Sequence, residues 1–599
     1  MAIGYFAYYL IWRWLFTLNP DQIILSLLLF FAEAFGVFNF MVFVWMTWDI
    51  RPSKQTSKPF SNEKADIFIT TYNEDEDLLE ATLSGCSGVN RRGEIYLLDD
   101  GNRQAIQSLA KKYGCIYVAR KNNVHAKAGN INNALSKSKA DFILFLDADT
   151  VPQPEVIEKT IGFMQDKDLA LVQTPQEFYN KRASIQHDRK KIFWHEQSLF
   201  FRVIQPGKNY SESAFWTGTP SLVRKSALEE IGGIATDTVT EDLHTSVRLH
   251  AAGFKTYFHN ETLAFGVAPQ TIHSFLVQRL RWAQGTMQLY RSKESPLWIR
   301  GLTLKQRVSY FASFLAYIQS LQKLILVVFP SVVLVSQALP MKVGAFDFVL
   351  RWMPYLILTV LMNSYYGRGY FNFLETEKYN ILKMPTFLSS LRYLISTRTL
   401  SFKVTPKKVG TDVWASELVS LRGYFALLGV ILGLSLSGFV RMAIDPDPFF
   451  DKFVIAFVSV WGFYNIVQIF AGIRFVFSQK HFRQLTRYKL DFPGYLHDKD
   501  RTFVIPVHIR DISFSGAKLV LHEPELPNTD SLVLSFRIED QPEIEIEIKP
   551  IGGQESKSTR AVRFGNLSDV ASLRLRNLIY VYLPMYVYSK SRIHWQVSF

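Results

Sequence analysis

Cysteine is nearly absent from this chain, with only Cys86 and Cys115 among 599 residues. Two thiols are too few for a disulfide framework or a zinc site, so we expect both to be reduced and to have packing roles. No small-residue cleavage site follows a short apolar core at the N-terminus, so we expect no cleavable secretory signal. Charged residues are also sparse, at 20% against about 25% in globular proteins.

The net charge of +14 would suit a nucleic-acid partner, but no zinc pattern or recognition helix accompanies the basic residues. We therefore predict no nucleic-acid partner. Hydrophobic residues make up 48% of the chain and aromatic residues 15%, and the mean hydropathy is +0.05. These values indicate a membrane protein, in which Lys and Arg beside spanning segments explain the positive charge.

Six apolar segments are candidate membrane spans, judged against the roughly twenty apolar residues that a spanning helix needs. The first is short and contains Arg13. Basic residues follow the second and sixth segments and crowd residues 368–408, so these regions are predicted to be cytoplasmic. The six segments are 5–18, 23–45, 321–338, 348–363, 423–440 and 453–477.

Two carboxylates follow an apolar run at residues 142–146, which predicts a buried parallel strand. Asp147 and Asp149 would then lie at the carboxyl end of that strand, where open α/β sheets bind ligands. Their oxygens suit a hard cation, Mg²⁺ or Mn²⁺, which would bridge to a diphosphate. The alternative is a helix cap with a solvated acid, because Thr150 and Pro152 are also good capping residues.

A second strand-like run, residues 94–98, ends in Asp99 and Asp100, so the same arrangement occurs twice. A third run, 67–70, leads into a polar turn containing Tyr72 and Glu74. The Tyr72 ring could stack on a nucleobase at the same edge of the sheet.

Two further motifs are predicted to begin helices. Lys127 lies in a small-residue segment from which its amine could reach a phosphate, although an ordinary capped surface helix explains that segment alone. Thr240, Glu241 and Asp242 precede a helical pattern, where the helix dipole favours negative charge. A carboxylate there can accept a proton from an attacking hydroxyl, but acids at a helix start are also common caps.

Residues 274–290 carry apolar side chains on one side, just before long hydrophobic segments, which predicts an interfacial amphipathic helix. In its motif Gln278-x-x-Arg281-Trp282, the arginine offers a bidentate fork for a diphosphate and the tryptophan a flat face for a sugar ring. Trp and Arg near a bilayer are more often plain anchors, so the motif alone leaves both interpretations open.

From residue 479 onward, short β-rich runs predict a small antiparallel barrel with a final helix near residues 569–583. Arg483 and Arg487 lie just ahead of it and could grip phosphates, or they could form a positive-inside flank. The predicted strand runs are 503–505, 507–509, 517–521, 532–538 and 544–548.

The order of these motifs resembles that of the bacterial cellulose synthase catalytic subunit and related processive β-glucan synthases, which are inverting family-2 glycosyltransferases. The resemblance covers nearly the whole chain, and six motifs in the family's order make it specific. It rests on Asp-Asp-Gly at 99–101, His-Ala-Lys-Ala-Gly-Asn at 125–130, Asp-x-Asp at 147–149, Thr-Glu-Asp at 240–242, Gln-x-x-Arg-Trp at 278–282, and Phe402-x-Val404-Thr405-x-Lys407, which is similar to the family's gating loop. Arg483-x-x-x-Arg487 and Asp511-x-Ser513-x-x-Gly516 resemble the two halves of a PilZ cyclic di-GMP site.

The resemblance implies an α/β glycosyltransferase domain of the GT-A type inserted between about six transmembrane helices, followed by an antiparallel PilZ β-barrel. Both soluble parts would be cytoplasmic, at the bacterial inner membrane. The implied boundaries are transmembrane helices at 1–50, the glycosyltransferase domain at 51–300, channel helices at 301–478 with a gating loop at 395–416, and the PilZ domain with a C-terminal helix at 479–599.

The resemblance also implies roles for single residues. Asp242 would be the general base, with Glu241 and Thr240 beside it, and Trp282 would form the first acceptor subsite. Where the family usually carries Phe-Cys-Gly at the acceptor site, this chain has Phe-Trp-Thr-Gly, which places Trp216 and Thr217 there. The implied donor residues are Tyr72, Glu74, Asp99, Asp100, Lys127, Asp147, Gln278 and Arg281, with Asp147 and Asp149 as metal ligands.

The implied activity is processive transfer of glucose from UDP-glucose to a growing polymer with inversion, activated by cyclic di-GMP. Cellulose, the β-1,4-glucan, is the expected product, and β-1,3 or mixed linkages are the alternatives. A non-processive transferase acting on a lipid carrier and a catalytically idle membrane scaffold remain as other classes. Implied partners are UDP-glucose, the polymer, cyclic di-GMP, membrane lipids, and periplasmic or outer-membrane export subunits.

Overall fold

The computed structural model describes most of the chain, in several stretches. Five residues with predicted roles, Phe402, Val404, Thr405, Lys407 and Arg483, lie outside the described residues. The described stretches are 2–50, 63–181, 184, 194–396, 413–444, 452–478, 486–521, 532–539, 541–551 and 559–597.

A seven-stranded sheet forms the core of the first soluble part, with strand order β3-β2-β1-β4-β8-β6-β9. The predicted runs at 67–70, 94–98 and 142–146 are its strands β1, β2 and β4, which pair in parallel. They are apolar on both faces because helices cover both sides of the sheet. The strands of this part are β1 (Ala65–Thr71), β2 (Arg92–Asp99), β3 (Ile116–Ala119), β4 (Phe142–Asp147), β5 (Val151–Pro152), β6 (Leu169–Gln173), β7 (Glu177–Phe178), β8 (Ser221–Arg224), β9 (Lys255–Phe258) and β10 (Ala264–Gly266).

The register of the central strands brings the polar motifs to one edge of the sheet. Thr71 of β1 lies opposite Asp99 of β2, and Thr70 lies opposite Asp147 of β4. The prediction that two strands deliver acids to a single edge is therefore confirmed.

Helices surround this sheet, and a three-stranded sheet, β5-β10-β7, lies beside it. Helix α3 packs Cys86 into the core with no exposed surface, and both cysteines have free thiols. The helices of this part are α3 (Glu76–Ser87), α4 (Gln104–Lys112), α5 (Ala126–Leu135), α6 (Val156–Ile161), α7 (Gln205–Lys208), α8 (Lys225–Glu230), α9 (Glu241–Ala251) and α10 (Ile272–Arg291).

Four helical segments within the described stretches are long and apolar enough to cross a membrane, judged by length and composition: Pro20–Thr47, Leu304–Ser336, Trp414–Ile444 and Lys452–Phe477. The two other predicted spans correspond to weaker helices, so the count of six remains a prediction. The α-helices that precede the first soluble part, and those between it and the barrel, are α1 (Ala2–Trp12), α2 (Ile23–Thr47), α11 (Leu304–Ser336), α12 (Ala345–Tyr366), α13 (Phe373–Ser390), α14 (Val413–Ile444) and α15 (Lys452–Phe477).

The first predicted span is a short helix whose 11 residues continue into a π-helical turn, Arg13–Thr17. A buried ion pair joins it to α2, with Arg13 Nε 2.7 Å from the Glu33 carboxylate. Arg13 was the charged residue that argued against this segment as a membrane span, and Glu33 neutralises its charge inside the protein. The other weak candidate, α12, has 22 residues and carries Asp347 and Arg351 in its first half.

The C-terminal part is a closed antiparallel barrel with strand order β11-β12-β13-β16-β15-β14, as predicted. The two predicted runs at 503–505 and 507–509 form one strand, and two strands, β11 and β16, were not predicted. The predicted final helix near residues 569–583 contains a π-helical turn, Asn577–Tyr582, and continues beyond its expected end as the helix Leu583–Val597. The elements are β11 (Arg487–His497), β12 (Val504–Ser513), β13 (Gly516–Leu521), β14 (Leu532–Phe536), β15 (Ile544–Pro550), β16 (Thr559–Phe564), α16 (Asp569–Arg576) and α17 (Leu583–Val597).

Candidate functional site

The turn after β1 presents an aromatic ring at the carboxyl edge of the sheet. Tyr72 is 46% exposed, while its backbone N–H donates to the Glu74 carboxylate at 2.8 Å. The Thr71 hydroxyl donates to the same Glu74 oxygen at 2.9 Å. Glu74 therefore holds the turn in shape and leaves the tyrosine ring free to contact a flat ligand.

Asp99 lies beneath this turn with no exposed surface. Its carboxylate accepts hydrogen bonds from the Gly101 and Arg103 backbone, from the Arg103 side chain and from the Tyr117 hydroxyl at 2.7–3.2 Å. The Arg103 guanidinium also donates to Thr71 Oγ1 and to the Glu74 carbonyl. Asp99 thus organises the floor of the predicted nucleotide site, and its role as a direct nucleotide contact remains a prediction.

The segment that carries Lys127 begins helix α5, as predicted, but through an unusual backbone. His125 and Ala126 have φ angles of 61° and 43°, which are uncommon for residues with a Cβ. Arg120 holds this turn by donating to the carbonyls of Val124 and Ala126, both at 2.7 Å.

Asp100 anchors the same arginine. The Arg120 guanidinium makes a bidentate ion pair with the Asp100 carboxylate, at 2.5 and 2.8 Å. A Cβ at Gly129 would lie 2.2 Å from the Val124 carbonyl oxygen that Arg120 also contacts, so a side chain at this position would clash with the turn. Asp100 therefore stabilises the strained turn through Arg120, and direct contact of Asp100 with the donor remains a prediction.

Lys127 lies between the Asp-x-Asp motif and the Thr-Glu-Asp motif, which are predicted to hold the metal and the catalytic base. Its Nζ lies 2.6 Å from Asp147 Oδ1 and 3.8 Å from Glu241 Oε1. Burial lowers the pKa of Lys127, but Asp147 and Glu241 raise it more, so the net pKa is above its usual range. The protonated amine therefore lies among carboxylates at the place where a diphosphate would need a cation.

One pocket contains residues from three predicted motifs: Lys127, Asp147, Glu241 and Asp242 all line it. Thr70, next to the last residue of β1, and Trp216 also line the pocket. The structure thus brings together in a single cavity Lys127, Asp147 and Asp242, which are the residues predicted to bind the diphosphate, to ligate the metal and to act as the base.

Asp242 lies in the first turn of α9, which begins at Glu241 as predicted. Burial and the neighbouring Glu241 raise the pKa of Asp242 to about 7, although the Leu243 N–H, Lys127 and Arg281 oppose the shift. The Leu243 N–H donates to Asp242 Oδ1 at 2.8 Å. A carboxylate with this pKa is well matched to accept a proton at neutral pH.

Helix α10 fixes the turn that precedes Asp242. A Cβ at Gly285 would lie 2.4 Å from the Thr240 hydroxyl, so the Thr240 side chain packs directly on the backbone of α10 in the space that glycine leaves open. Gln288, one turn further along α10, accepts a hydrogen bond from the Val239 N–H at 3.2 Å. Thr240 therefore has a packing role at the junction between the base and α10.

Helix α10 is more buried than an interfacial amphipathic helix, because protein covers most of its faces. Arg279 lies over the Trp282 ring, 4.2 Å from its centroid, and pairs with Glu196 at 2.6 Å. Lys383 of α13 pairs with the same carboxylate at 2.5 Å. Burial raises the pKa of Glu196, but Arg279 and Lys383 lower it to about 2, so the charge is retained.

The predicted donor residues of α10 lie on the same segment. The Gln278 side-chain oxygen accepts a hydrogen bond from Arg279 at 2.8 Å. Arg281 is close enough to Asp242 to lower the pKa of that carboxyl. Arg281 therefore adds positive charge to the pocket, as a diphosphate site requires.

Of the two predicted acceptor residues, Trp216 lines the pocket, and Thr217 lies between it and Gly218, which also lines the pocket. Trp216 is 3% exposed, packs on Phe145, and donates its indole N–H to Ser221 Oγ and to the Gly218 carbonyl. The Thr217 N–H donates to Gln173 at 2.9 Å. These contacts hold Trp216 and Thr217 in place beside the pocket, and direct contact of either residue with an acceptor remains a prediction.

Asp149 is 7% exposed, and its role as a metal ligand remains a prediction. A different group of possible ligands, Asp237, His244 and Glu294, has atoms within 4.8 Å of one another. Arg248 lies between two of them, at 2.7 Å from Asp237 and 2.8 Å from Glu294. Because an arginine already neutralises this group, it is an ion-pair network around helix α9.

Within the described residues, Arg487 of the first half of the predicted cyclic di-GMP site meets the second half in the barrel. Arg487 opens β11, and its guanidinium lies 3.0 Å from the Asp511 carboxylate of β12. Ser513 donates to the Gly516 carbonyl at 3.0 Å, and a Cβ at Gly516 would lie 2.3 Å from the Val562 carbonyl. This turn is therefore built around glycine and faces an arginine from the neighbouring strand.

Arg103, Arg120 and Gly285 support the site but were not predicted from the sequence. The available signal was their position, since each lies within a few residues of a recognised motif. Their partners, however, come from other segments of the chain, so only the folded structure identifies them.

Comparison with known proteins supports this arrangement. The model of the glycosyl transferase family group 2 matches residues 142–367, and the PilZ domain model matches residues 478–581. The first match includes the Asp-x-Asp, Thr-Glu-Asp and Gln-x-x-Arg-Trp motifs, and the second includes the Asp511–Gly516 turn.

Two named relatives come from Komagataeibacter xylinus. Its cellulose synthase 1 catalytic subunit (UDP-forming) is 28% identical over 597 residues, which cover 94% of this chain and 77% of that protein. Its cellulose synthase 1 is 29% identical over 549 residues, which cover 86% of this chain. Those residues cover 34% of that relative, so the chain spans about a third of its length.

Among solved structures, a mannosyltransferase from Pyrobaculum calidifontis in complex with GDP-Man and Mn²⁺ is 15% identical, with a TM-score of 0.36. The match covers 74% of this chain and 99% of that one. Taken with the apolar helices, the sequence matches indicate a membrane protein. The chain is therefore a homologue of the bacterial cellulose synthase catalytic subunits, with a family-2 glycosyltransferase domain followed by a PilZ domain.

Proposed function

We propose that this chain is a processive, membrane-embedded β-glucan synthase that transfers glucose from UDP-glucose to a growing polymer, and that the product is cellulose. The observation that carries the proposal is the shared pocket of Lys127, Asp147 and Asp242, in which a phosphate-binding cation lies beside a carboxylate base. UDP-forming relatives along most of the chain support the choice of donor.

The base acts directly on the acceptor. Asp242 takes the proton of the terminal hydroxyl while the hydroxyl oxygen attacks the anomeric carbon of the donor, and the bond from that carbon to the diphosphate breaks. UDP leaves with the electron pair of that bond. A single displacement inverts the anomeric centre, so an α-linked donor yields a β-glucan.

The leaving diphosphate is held by positive charge. Lys127 and Arg281 are the cations of this chain that would bind it. Asp147 and Asp149 provide hard oxygen ligands that fit Mg²⁺ or Mn²⁺, and Asp147 is partly exposed in the pocket. Such an ion, when bound, neutralises charge that develops on the leaving group.

The sugar and the base of the nucleotide need flat surfaces. Tyr72, exposed above the Asp99 floor, would stack on the uracil, and Trp282 would stack on the acceptor sugar. Gln278 lies one turn before Trp282 and would line the donor pocket.

Regulation by cyclic di-GMP would act through the barrel. Arg487, together with Arg483, would bind the phosphates of the ligand against the Asp511–Gly516 turn. Occupancy would let the loop that contains Thr405 cover the donor pocket and exclude water.

The polymer would leave through the apolar helices, among membrane lipids. Both soluble parts would lie in the cytoplasm of a bacterium, beneath the inner membrane, and export subunits would receive the polymer outside it. Lys and Arg near the helix ends support this orientation.

The decisive experiment supplies membrane-reconstituted protein with UDP-glucose, Mg²⁺ and cyclic di-GMP and digests the product with linkage-specific glucanases. An insoluble polymer digested only by a β-1,4-specific enzyme supports the proposal. Digestion by β-1,3 or mixed-linkage enzymes contradicts the assignment of the product as cellulose while leaving the proposed mechanism in place. A glycolipid extractable in organic solvent, or no product at all, overturns processive synthesis.

A further inference from the structure

Helix α3 connects the C-terminal helix to the catalytic sheet. Arg576, the last residue of α16, places Nη2 2.5 Å from the Glu80 carboxylate of α3, and the two side chains are only 8% and 11% exposed. One turn further along α3, the Ser84 hydroxyl donates to Asn577 at 2.8 Å. Two consecutive residues of the C-terminal segment are therefore fixed to one face of α3.

The same helix holds the Asp-x-Asp segment of the predicted metal site. The buried Thr82 hydroxyl donates to the Ala148 carbonyl at 2.8 Å, directly between Asp147 and Asp149. A Cβ at Gly85 would lie 2.6 Å from the Val151 side chain, so α3 packs without a gap against the segment that follows. A shift of α3 would therefore shift the backbone of the two carboxylates.

On its other side, Arg576 contacts the nucleotide-binding turn of the barrel. Its guanidinium lies over the Phe514 ring, 4.3 Å from the centroid. Phe514 lies inside the Asp511–Gly516 turn, directly after Ser513. Arg576 thus touches both the predicted regulatory turn and the helix behind the predicted metal-binding carboxylates.

Burial determines which partner of Glu80 matters most. Lys112 also pairs with Glu80, at 2.9 Å, but its side chain is 49% exposed, so solvent screens that contact. Arg576 Nε is buried and has no hydrogen-bond partner in the described part of the chain. The orientation of Arg576 therefore depends on Glu80 and Phe514, and a small movement of either one reaches the other.

We propose that Arg576 is a positioning residue for the Asp147 and Asp149 carboxylates, acting through Glu80 and helix α3, and that a cyclic dinucleotide at the Asp511–Gly516 turn adjusts it through Phe514. The inference rests on the proposed function, because it takes the barrel to bind that ligand. It gives the ligand a route to the donor site that does not pass through the Thr405 loop.

The first measurement is of ligand linkage and needs no catalysis. Titration calorimetry on the full-length protein gives the Kd for cyclic di-GMP in the absence and in the presence of UDP with Mn²⁺. If the two sites are coupled, the two values differ in the unmodified protein, and reciprocity requires UDP affinity to change by the same factor. We expect the Kd values for cyclic di-GMP without and with UDP and Mn²⁺ to differ by a factor of about five or more in the unmodified protein. This ratio should fall toward one in Arg576→Met, in Glu80→Gln and in Thr82→Val.

Two variants serve as controls. Lys112→Met removes the exposed partner of Glu80 and should keep the ratio of the unmodified protein. Arg576→Lys keeps the charge beside Glu80 and should retain most of the ratio. If Arg576→Met does not fold, Glu80→Gln and Thr82→Val, which remove no buried cation, decide the matter.

The outcomes separate the two proposals. A coupled unmodified protein with uncoupled Arg576→Met and Thr82→Val supports the positioning role. Equal coupling in all variants, or a ratio of one in an unmodified protein that binds both ligands, overturns it and leaves the proposed enzyme intact. An unmodified protein that binds neither UDP nor cyclic di-GMP overturns the proposed function itself.

Discussion

Asp242 and Lys127 converge on one point beside Gly218: a Cβ built there would lie 3.5 Å from Asp242 Oδ2 and 3.6 Å from Lys127 Nζ. Gly218 also has a φ of +89°, which disfavours any residue with a side chain. The segment that departs from the family's usual pattern thus borders the space between the proposed base, Asp242, and the amine of Lys127, which is proposed to bind phosphate.

The first prediction concerns this glycine. We expect Gly218→Ala to lower kcat/KM for UDP-glucose by about tenfold or more, because the methyl group enters the pocket and the left-handed backbone costs about 1–2 kcal/mol. Gly232→Ala is the matched control, since Gly232 has a φ of +81° but open space around its Cβ position. The control should lose similar stability and keep its activity. Equal activity in both variants contradicts the role of Gly218.

The pH dependence of synthesis should report Asp242. Its pKa is raised to about 7, so the carboxylate is protonated, and the base is lost, as the pH falls below that value. We expect the rate to fall below pH 7 and the acid limb to move to lower pH in Glu241→Gln, because that variant removes a neighbouring negative charge. Initial rates of UDP release measured across the pH range test both expectations. An unmoved acid limb in the variant would show that Glu241 does not influence the base.

Arg120 should matter for donor binding although it does not line the pocket. We expect Arg120→Ala to raise the KM for UDP-glucose by about tenfold, because the turn that places Lys127 loses its bidentate anchor. Lys121→Ala, at the exposed neighbouring position, is the control and should behave like the unmodified protein. Calorimetric titration with UDP distinguishes a loss of binding from a loss of chemistry, and an unchanged UDP affinity in Arg120→Ala contradicts the prediction.

Lys208 should make the stability pH-dependent. Burial lowers its pKa from 10.5 to about 7, and its amine donates to the Ser309 carbonyl and hydroxyl at 2.7 Å. The unfolded chain therefore binds more protons between about pH 7 and pH 10.5, so the free energy of unfolding should rise across that window, by on the order of 4 kcal/mol. Melting temperatures of the detergent-solubilised protein should rise with pH more steeply than those of Lys208→Met. Parallel curves would show that Lys208 stays protonated when buried.

Activation should depend on the barrel arginines and on the predicted loop. We expect Arg487→Ala and Arg483→Ala to abolish activation by cyclic di-GMP, because the phosphates lose their cations. Thr405→Ala should reduce synthesis while leaving ligand binding intact. Polymer assays paired with calorimetry separate these effects, and full activation of Arg487→Ala would remove the barrel from the mechanism.

The central strands and their acids were predictable because the runs at 67–70, 94–98 and 142–146 are short, apolar and each followed by polar residues. Parallel pairing then places Asp99 and Asp147 at one edge without further information. By contrast, the strand β11 contains Pro493 and Gly494, which favour turns, and it was missed for that reason. As a result, Arg487 was placed ahead of the barrel, whereas it is the first residue of a strand and already faces Asp511.

Contacts between distant segments were beyond prediction. The left-handed turn at His125 depends on Arg120, whose own partner Asp100 lies twenty residues upstream. Local preference opposes that backbone, so only the tertiary ion pair explains it. The extent to which α10 is buried was underestimated for a related reason. Glu196, which also pairs with Lys383, neutralises the buried guanidinium of Arg279, a side chain that pattern analysis places in water.

The Thr240 side chain packs directly on the backbone of α10 at Gly285, which ties the turn before Asp242 to that helix. We therefore expect the ring of Trp282 and the proposed base to keep their spacing from one transfer to the next. A sugar chain that has just gained one unit would then have to move past Trp282 and Asp242 by the length of one glucosyl residue before the next attack. The stepping motion of synthesis would accordingly belong to the polymer and its channel, while the catalytic frame stays still.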